Sequence, residues 1–261
     1  MKDLSRVCGG LVVVATLWFW FGHSPPALAA DLKVAYINAD TSPNLSYLGL
    51  HGIDATAISN PIGLTLGALS AYDALLISSN QIFSDPTTIG NVAADFADAG
   101  GGVVLSEFVF QGMWALSGRI MTAGYSPFTV DPLSSGYVMN SALGTIYDTG
   151  SPILTGVTTT SATQQFQGDL SLQGSAHLVA DWASGRRAIA YSTPVAGRAV
   201  VGLNLYPDQA WLTSPDSQLI VANALHFSVN SGTAIVPEPS SWMLMAVAAT
   251  VLAWRTRRRV G

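Results

Sequence analysis

The chain has 261 residues, of which 49% are hydrophobic and 10% are charged, and its formal net charge is −5. This composition is sufficient to bury one sizeable core or two small ones, and it excludes a disordered protein for the bulk of the chain. Between residues 31 and 235 there are 14 acidic side chains against five basic ones. Such a negative surface repels nucleic acid and anionic lipid, and it is compatible with neutral glycans, cations or protein partners.

Residues 1–30 have the pattern of a secretory signal peptide. Lys2 and Arg6 form a basic lead, residues 9–21 are an apolar run, and residues 27–29 read Ala-Leu-Ala, a small-x-small cleavage sequence. A retained anchor is the alternative, but the apolar run is shorter than the ~20 residues that cross a bilayer. We therefore expect export by the secretion machinery and removal of this segment by signal peptidase.

The only cysteine of the sequence, Cys8, lies inside the predicted signal peptide. Its removal leaves no thiol, which excludes disulfides, cysteine-ligated zinc and a cysteine nucleophile in the mature protein. Neither H-x-x-x-H nor H-E-x-x-H occurs, so the sequence predicts no metal centre and no cofactor.

The region from residue 32 to residue 229 alternates strand and helix patterns. Short apolar runs predict strands at 32–38, 54–59, 72–78, 103–107, 177–182, 187–192 and 199–206. Helices are predicted at 45–51, 86–99 and 217–229, and loops over most of 127–169. The continuous apolar runs are typical of parallel strands that are covered on both faces. We therefore expect residues 31–230 to form one α/β domain with right-handed crossovers.

Five segments carry a resemblance to a known fold: residues 33–38, 72–77, 100–105, 151–156 and 199–206. Their arrangement is similar to the class I glutamine amidotransferase-like fold, a flavodoxin-like sheet shared with ThuA-type trehalose-utilisation proteins. The resemblance implies a parallel sheet with helices on both faces.

The catalytic residues of that fold are missing from this sequence. In the fold, a cysteine occupies the turn after the strand that corresponds to residues 103–106, and a His-Pro-Glu sequence follows a late strand. Here the turn reads Leu105-Ser106-Glu107-Phe108, and the late strand ends in Leu205-Tyr206-Pro207-Asp208. Tyrosine stands in place of the histidine, so the resemblance implies a domain that cannot transfer amide nitrogen through a thioester.

Ser106 is a candidate nucleophile in the same turn. A serine nucleophile needs a base within hydrogen-bond reach. The histidines that remain after cleavage, His51, His177 and His226, are scattered, and no G-x-S-x-G elbow occurs. We therefore expect no serine triad.

Glu107 and Asp208 are predicted to follow strands, and open α/β sheets bind ligands at the carboxyl ends of their strands. As a pair they could act as acid and base in glycoside hydrolysis, or hold a hard cation. The alternative is structural: Glu107 accepts N–H groups of a turn, and Asp208 caps the turn after Pro207. Asp40 and Asn80 also follow strands and are expected to line the same crevice.

Three tryptophans of the predicted domain, Trp114, Trp182 and Trp211, have ring faces on which sugars can stack. Core packing is the expected role of at least two of them.

The remaining segments are predicted to be a linker at 231–239, a single transmembrane helix at 240–254 and a basic cytoplasmic tail at 255–261. A tryptophan bounds the apolar run at each end, and the run is followed by Arg255, Arg257, Arg258 and Arg259. Tryptophans at the membrane interface and a basic cluster on the cytoplasmic side orient the main domain outward. Because the run is short of the ~20 residues of a stable span, we expect a transient anchor.

The linker contains Val236, Pro237, Glu238 and Pro239, directly before the apolar helix and the arginine cluster. This tail resembles a PEP-CTERM sorting signal. Its prolines disfavour helix, which keeps the peptide extended and accessible outside the membrane. The resemblance implies recognition by an exosortase-type membrane protease, removal of the tail, and delivery to the surface of exopolysaccharide-producing Gram-negative cells. An ordinary linker before a plain anchor is the alternative.

Two functions remain open from the sequence. The leading hypothesis is a surface-sorted protein whose inactive amidotransferase-like domain has a binding or structural role in exopolysaccharide or biofilm. The alternative is an extracellular carbohydrate-active hydrolase that uses Glu107 and Asp208.

Overall fold

The computed structural model of the protein describes residues 31–40, 43–131, 138, 141–158, 168–194 and 198–231. The predicted signal peptide, the sorting motif, the apolar helix and the arginine cluster lie outside these residues. Within the described ranges, no helix has the length and apolar character needed to cross a membrane.

The described residues form one sheet of eight strands with two α-helices. The strands are β1 Leu32–Asn38, β2 Ile53–Ser59, β3 Ala74–Ile77, β4 Gly102–Ser106, β5 Leu143–Ile146, β6 His177–Trp182, β7 Arg187–Ser192 and β8 Val200–Leu203. The α-helices are α1 Pro86–Asp98 and α2 Pro215–Asn230. Short 3-10 helices occupy Ser46–His51, Leu66–Leu69, Gly112–Trp114, Arg119–Met121 and Pro152–Leu154.

The strands lie in the order β2-β1-β3-β4-β8-β7-β6-β5. The first five are parallel and follow the flavodoxin-like order, with β8 in the fifth position. The last three continue the sheet through antiparallel pairing. The predicted flavodoxin-like sheet is therefore confirmed in its parallel half, and an antiparallel half extends it beyond β8.

Helices cover both faces of the sheet, as predicted. In β1, Val34 and Tyr36 point into the hydrophobic layer that includes α2, whereas Ala35 and Ile37 point into the layer that includes α1. Successive side chains of a strand point to opposite faces, so a strand buried on both faces is apolar throughout.

The helix α1 forms where the sequence supplies both a start signal and an apolar stripe. The Asp85 carboxylate accepts a hydrogen bond from the Thr88 backbone N–H at 3.3 Å, and Pro86 occupies the first turn. Ile89 and Phe96 lie on the buried side of the helix. The helix connects β3 to β4 and so brings the carboxyl ends of these two neighbouring strands to one edge of the sheet.

Candidate functional site

A polar cavity of about 330 Å³ lies at the carboxyl ends of β1, β3 and β8. We call it the strand-end cavity, and it is lined by Asp40, Asn80, Gln81, Tyr206, Asp208, Ala210 and Trp211. The loops that follow three parallel strands meet here because parallel strands end at the same edge of a sheet. The structure thus brings together three residues that the sequence placed in one crevice: Asp40, Asn80 and Asp208.

Asp40 is held at the floor of the cavity by two hydrogen bonds. Its carboxylate accepts the Asn80 backbone N–H at 3.0 Å and the Tyr206 hydroxyl at 2.7 Å. Burial raises the pKa of Asp40 above its usual value, and the hydrogen bonds from Tyr206 and Asn80 oppose that shift. Burial and the neighbouring charge of Asp40 also raise the pKa of the Tyr206 hydroxyl. The pair therefore offers a donor and acceptor network that is fixed before any ligand binds.

The Asp208 side chain stabilises the loop after β8 through two hydrogen bonds. One carboxylate oxygen accepts the Ala210 backbone N–H, and the other accepts the Asn44 backbone N–H, both at 2.8 Å. The first contact is the side-chain turn that an aspartate makes to the residue two positions later. These contacts agree with the expectation that Asp208 caps the turn after Pro207. The residue is 7% exposed and lies at the cavity wall.

Trp211 is a half-buried residue that lines the strand-end cavity together with Tyr206. The other two tryptophans are elsewhere: Trp182 is in the core with its indole N–H donated to the Asn204 carbonyl at 2.9 Å, and Trp114 packs on the Phe108 ring with centroids 5.5 Å apart. Trp211 is thus the tryptophan of the three that a ligand in this cavity would meet.

Glu107 occupies a different environment from Asp208. Its side chain is fully buried and does not line the strand-end cavity. One carboxyl oxygen accepts a hydrogen bond from the Gln111 side chain, and the other has no partner among the described residues. Burial raises the pKa of Glu107 well above its usual value, against the charge of Arg186 and the hydrogen bond from Gln111. The acid and base pair of the hydrolase hypothesis therefore does not share this cavity.

Ser106 is also fully buried, at the end of β4, and its hydroxyl donates to the Leu205 carbonyl. The histidines make other contacts: His177 meets the Asp148 carboxylate at 3.2 Å, and His226 meets the His51 carbonyl at 3.1 Å. None of the three lines the strand-end cavity. This geometry does not favour Ser106 as a nucleophile.

The described ranges contain no group of three or more histidine, cysteine or acidic side chains placed to hold a metal ion. The sequence prediction missed Gln81, which lines the strand-end cavity. Gln81 follows Asn80 directly, so its position after a strand would also have indicated it.

Three solved structures are similar to this fold. A cytoplasmic protein of Salmonella typhimurium LT2 gives a TM-score of 0.55 at 13% identity, covering 76% of this chain and 99% of its own. A second cytoplasmic protein of Salmonella typhimurium gives 0.57 at 12% identity, with coverages of 76% and 99%. A ThuA-like protein of Bacteroides uniformis gives 0.50 at 10% identity, with coverages of 78% and 94%. At these identities the similarity concerns the fold alone.

The sequence comparisons identify the tail. Residues 236–259 match the PEP-CTERM protein-sorting motif, which contains the predicted Pro-Glu-Pro segment and arginine cluster. A comparison with curated proteins finds no significant match. The chain therefore combines a ThuA-like α/β fold with a sorting motif that indicates export and processing by an exosortase.

Proposed function

We propose that this protein is sorted to the cell surface and that its α/β domain binds neutral carbohydrate in the strand-end cavity, without amidotransferase activity. The observation that carries the proposal is the set of side chains around that cavity. Carboxylates at Asp40 and Asp208 accept hydrogen bonds from hydroxyl groups, and amides such as Gln81 both donate and accept. Trp211 adds a flat apolar ring beside them, which suits the apolar face of a sugar.

Charge favours a neutral ligand over an anionic one. Two carboxylates line the cavity, and none of the described residues that line it is basic. A phosphate or uronic acid would meet electrostatic repulsion there, both locally and from the acidic surface of the domain. A neutral exopolysaccharide of the kind delivered to the same cell surface is the partner we propose.

The hydrolase alternative retains one supporting observation. Burial raises the pKa of Glu107, as a general acid requires. Glu107 is nevertheless outside the strand-end cavity, so the substitution Glu107→Gln should leave carbohydrate retention unchanged. Release of new reducing ends by the wild-type protein, abolished by Glu107→Gln, would instead establish the hydrolase.

Trp211→Ala tests the binding site itself. Loss of a stacking ring should weaken retention of the protein on neutral exopolysaccharide from its host about 3- to 10-fold. Trp114→Ala is the comparison variant, since Trp114 is also half-buried and does not line the cavity; the Phe108 ring between them packs on both Trp114 and Tyr206. Equal retention of both variants, or a loss confined to Trp114→Ala, would contradict the proposed site.

A further inference from the structure

A further cavity, of about 500 Å³, lies at the amino ends of β3, β4 and β8. We call it the strand-start cavity, and its lining includes Leu66, Gly67, Tyr72, Phe96, Gly101 and Arg198. Parallel strands begin at one edge of a sheet and end at the other, so this cavity and the strand-end cavity are on opposite edges. Two aromatic rings and a leucine side chain make its lining largely apolar, which favours an apolar partner.

Arg198 adds a positive charge to this apolar cavity. The residue is half-buried, and within the described ranges its guanidinium has no ion pair or hydrogen bond. Asp73 is the acidic residue among the described residues that line the cavity, and its carboxylate accepts the Lys33 backbone N–H at 2.9 Å. An arginine beside apolar side chains favours a partner that is apolar and also carries a carboxylate.

The chain leaves the described domain beside the strand-start cavity. The helix α2 ends at Asn230, and the Ser231 hydroxyl accepts the Ala199 backbone N–H at 2.7 Å. Ala199 follows Arg198 directly, so Ser231 is bonded to the immediate neighbour of a residue that lines the cavity. This hydrogen bond fixes the point at which the linker at 232–239 begins.

The linker has the composition that the strand-start cavity favours. Residues 234–236 read Ala-Ile-Val, and Glu238 follows them after one proline. Glu238 is the only acidic residue between residues 232 and 261, and Arg198 is the only basic one among the described residues that line the cavity. An apolar segment followed by a carboxylate therefore begins beside an apolar cavity with an arginine. Because the segment is tethered there, its effective concentration at the cavity is high.

We propose that Ile235 and Val236 dock in the strand-start cavity. In the docked tail, the Glu238 carboxylate pairs with the Arg198 guanidinium. Val236 and Glu238 belong to the matched sorting motif, so a docked tail cannot occupy the active site of an exosortase at the same time. Docking therefore slows processing, and the domain regulates access to its own sorting motif. This inference concerns the tail and does not depend on carbohydrate binding.

Disulfide trapping tests the docked position. The full-length chain carries Cys8→Ser, which leaves it without a thiol, and is purified in detergent from cells that lack the exosortase. Gly67→Cys is combined with Ile235→Cys, since the nearest atom to a Cβ added at Gly67 is 4.0 Å away. We expect a mild oxidant to join this pair within one chain. Arg198→Glu should slow the reaction about two- to fivefold, as expected from loss of one exposed ion pair.

Met113→Cys combined with Ile235→Cys is the matched control. Met113 is 70% exposed and follows β4, at the carboxyl edge of the sheet. The four residues from Ser231 to Ile235 span at most ~13 Å, about the length of β4, so this pair should join much more slowly. Equal rates for the two pairs, or a rate unaffected by Arg198→Glu, would overturn the docked tail. Disulfides that join two chains would also overturn it and would indicate a second copy as the donor of the docked segment.

Processing in the host tests the regulatory consequence. Pulse labelling should show that the tail is removed about two- to fivefold faster from Arg198→Glu than from the wild type. Arg198→Gln removes the charge without reversing it and should give a smaller increase. Arg186→Glu is the control, because Arg186 is also half-buried but lies in the turn between β6 and β7, and its processing rate should equal that of the wild type. An unchanged or slower rate for Arg198→Glu would contradict regulation by docking and would leave the proposed function intact.

Discussion

The two carboxyl groups of the hydrolase hypothesis, Glu107 and Asp208, have different surroundings. The Asp208 carboxylate accepts two backbone N–H groups at the cavity wall, whereas Glu107 is fully buried and one of its carboxyl oxygens has no hydrogen-bond partner among the described residues. A buried carboxyl group retains its proton because the charged form is poorly solvated in the interior. The folded protein therefore holds a proton on Glu107 at pH values where the unfolded chain releases it.

The raised pKa of Glu107 predicts how the free energy of unfolding changes with pH. The unfolded chain loses the Glu107 proton near its ordinary pKa of about 4.3, and the folded state keeps it, so the free energy of unfolding falls as pH rises above that value. The contribution is about 1.4 kcal/mol per pH unit until the folded pKa is reached. Glu107→Gln removes the contribution of this carboxyl group. Urea unfolding at pH 5 and at pH 8 should therefore show a smaller fall in the free energy of unfolding for the variant than for the wild type.

Asp54→Asn is the control for that measurement, because Asp54 is exposed on the edge strand β2. The free energy of unfolding of Asp54→Asn should fall with pH as much as that of the wild type. If the free energy of unfolding of Glu107→Gln fell as steeply with pH as that of the wild type, Glu107 would have to be ionised in the folded protein. That result would contradict the rise in its pKa that burial predicts.

Single residues at strand ends could be predicted from the sequence, but their partners could not. Asp40 and Asn80 were identified because each follows an apolar strand. The Tyr206 hydroxyl reaches the Asp40 carboxylate across 166 residues of sequence, and no local pattern records that contact. The sequence likewise gives no sign that the Tyr36 hydroxyl has no partner within the described part of the chain, since hydrogen-bond satisfaction depends on the surrounding tertiary structure.

Among the elements, α1 offers a prediction in which two effects oppose each other. Gly90 lies within this helix, and a Cβ atom added there would stand 1.8 Å from the Ser117 carbonyl oxygen. Helix propensity alone favours Gly90→Ala by up to about 1 kcal/mol. The backbone clash should dominate, with a net loss of about 1–3 kcal/mol in the free energy of unfolding.

Gly67→Ala is the control for the helix prediction, since the nearest atom to its added Cβ is the Thr65 hydroxyl oxygen at 4.0 Å. We expect a change close to zero in the same urea-unfolding assay. If Gly90→Ala were as stable as the wild type, the packing of α1 against the segment around Ser117 would have to be looser than the structure shows.

The agreement between predicted and observed elements depends on how much of each strand is buried. The predicted bounds of β1, β6 and β7 coincide with those observed, because their apolar runs stand out from polar neighbours. β5 lies in a region predicted to be loops, since this four-residue edge strand is half-exposed and contains Gly144. Strand direction was also missed: β6 and β7 are as apolar as parallel strands, and chain direction depends on distant pairing partners.

At the scale of the whole molecule, a sorting motif follows an acidic α/β domain. The motif at residues 236–259 indicates export, and the acidic balance of residues 31–235 disfavours an anionic partner. Ser106 and Glu107, at the end of β4, are both fully buried. The fold is thus compatible with recognition at its strand ends, which is where open α/β sheets bind their ligands.

The most direct test of this account is to incubate the protein purified from its host with the neutral exopolysaccharide of the same cells. Retained protein and newly released reducing ends are measured in the same tubes. We predict retention that free neutral oligosaccharide displaces, with no new reducing ends above the protein-free control. Steady release of reducing ends would contradict the binding role and make the protein an enzyme, and absence of retention would contradict carbohydrate as its ligand.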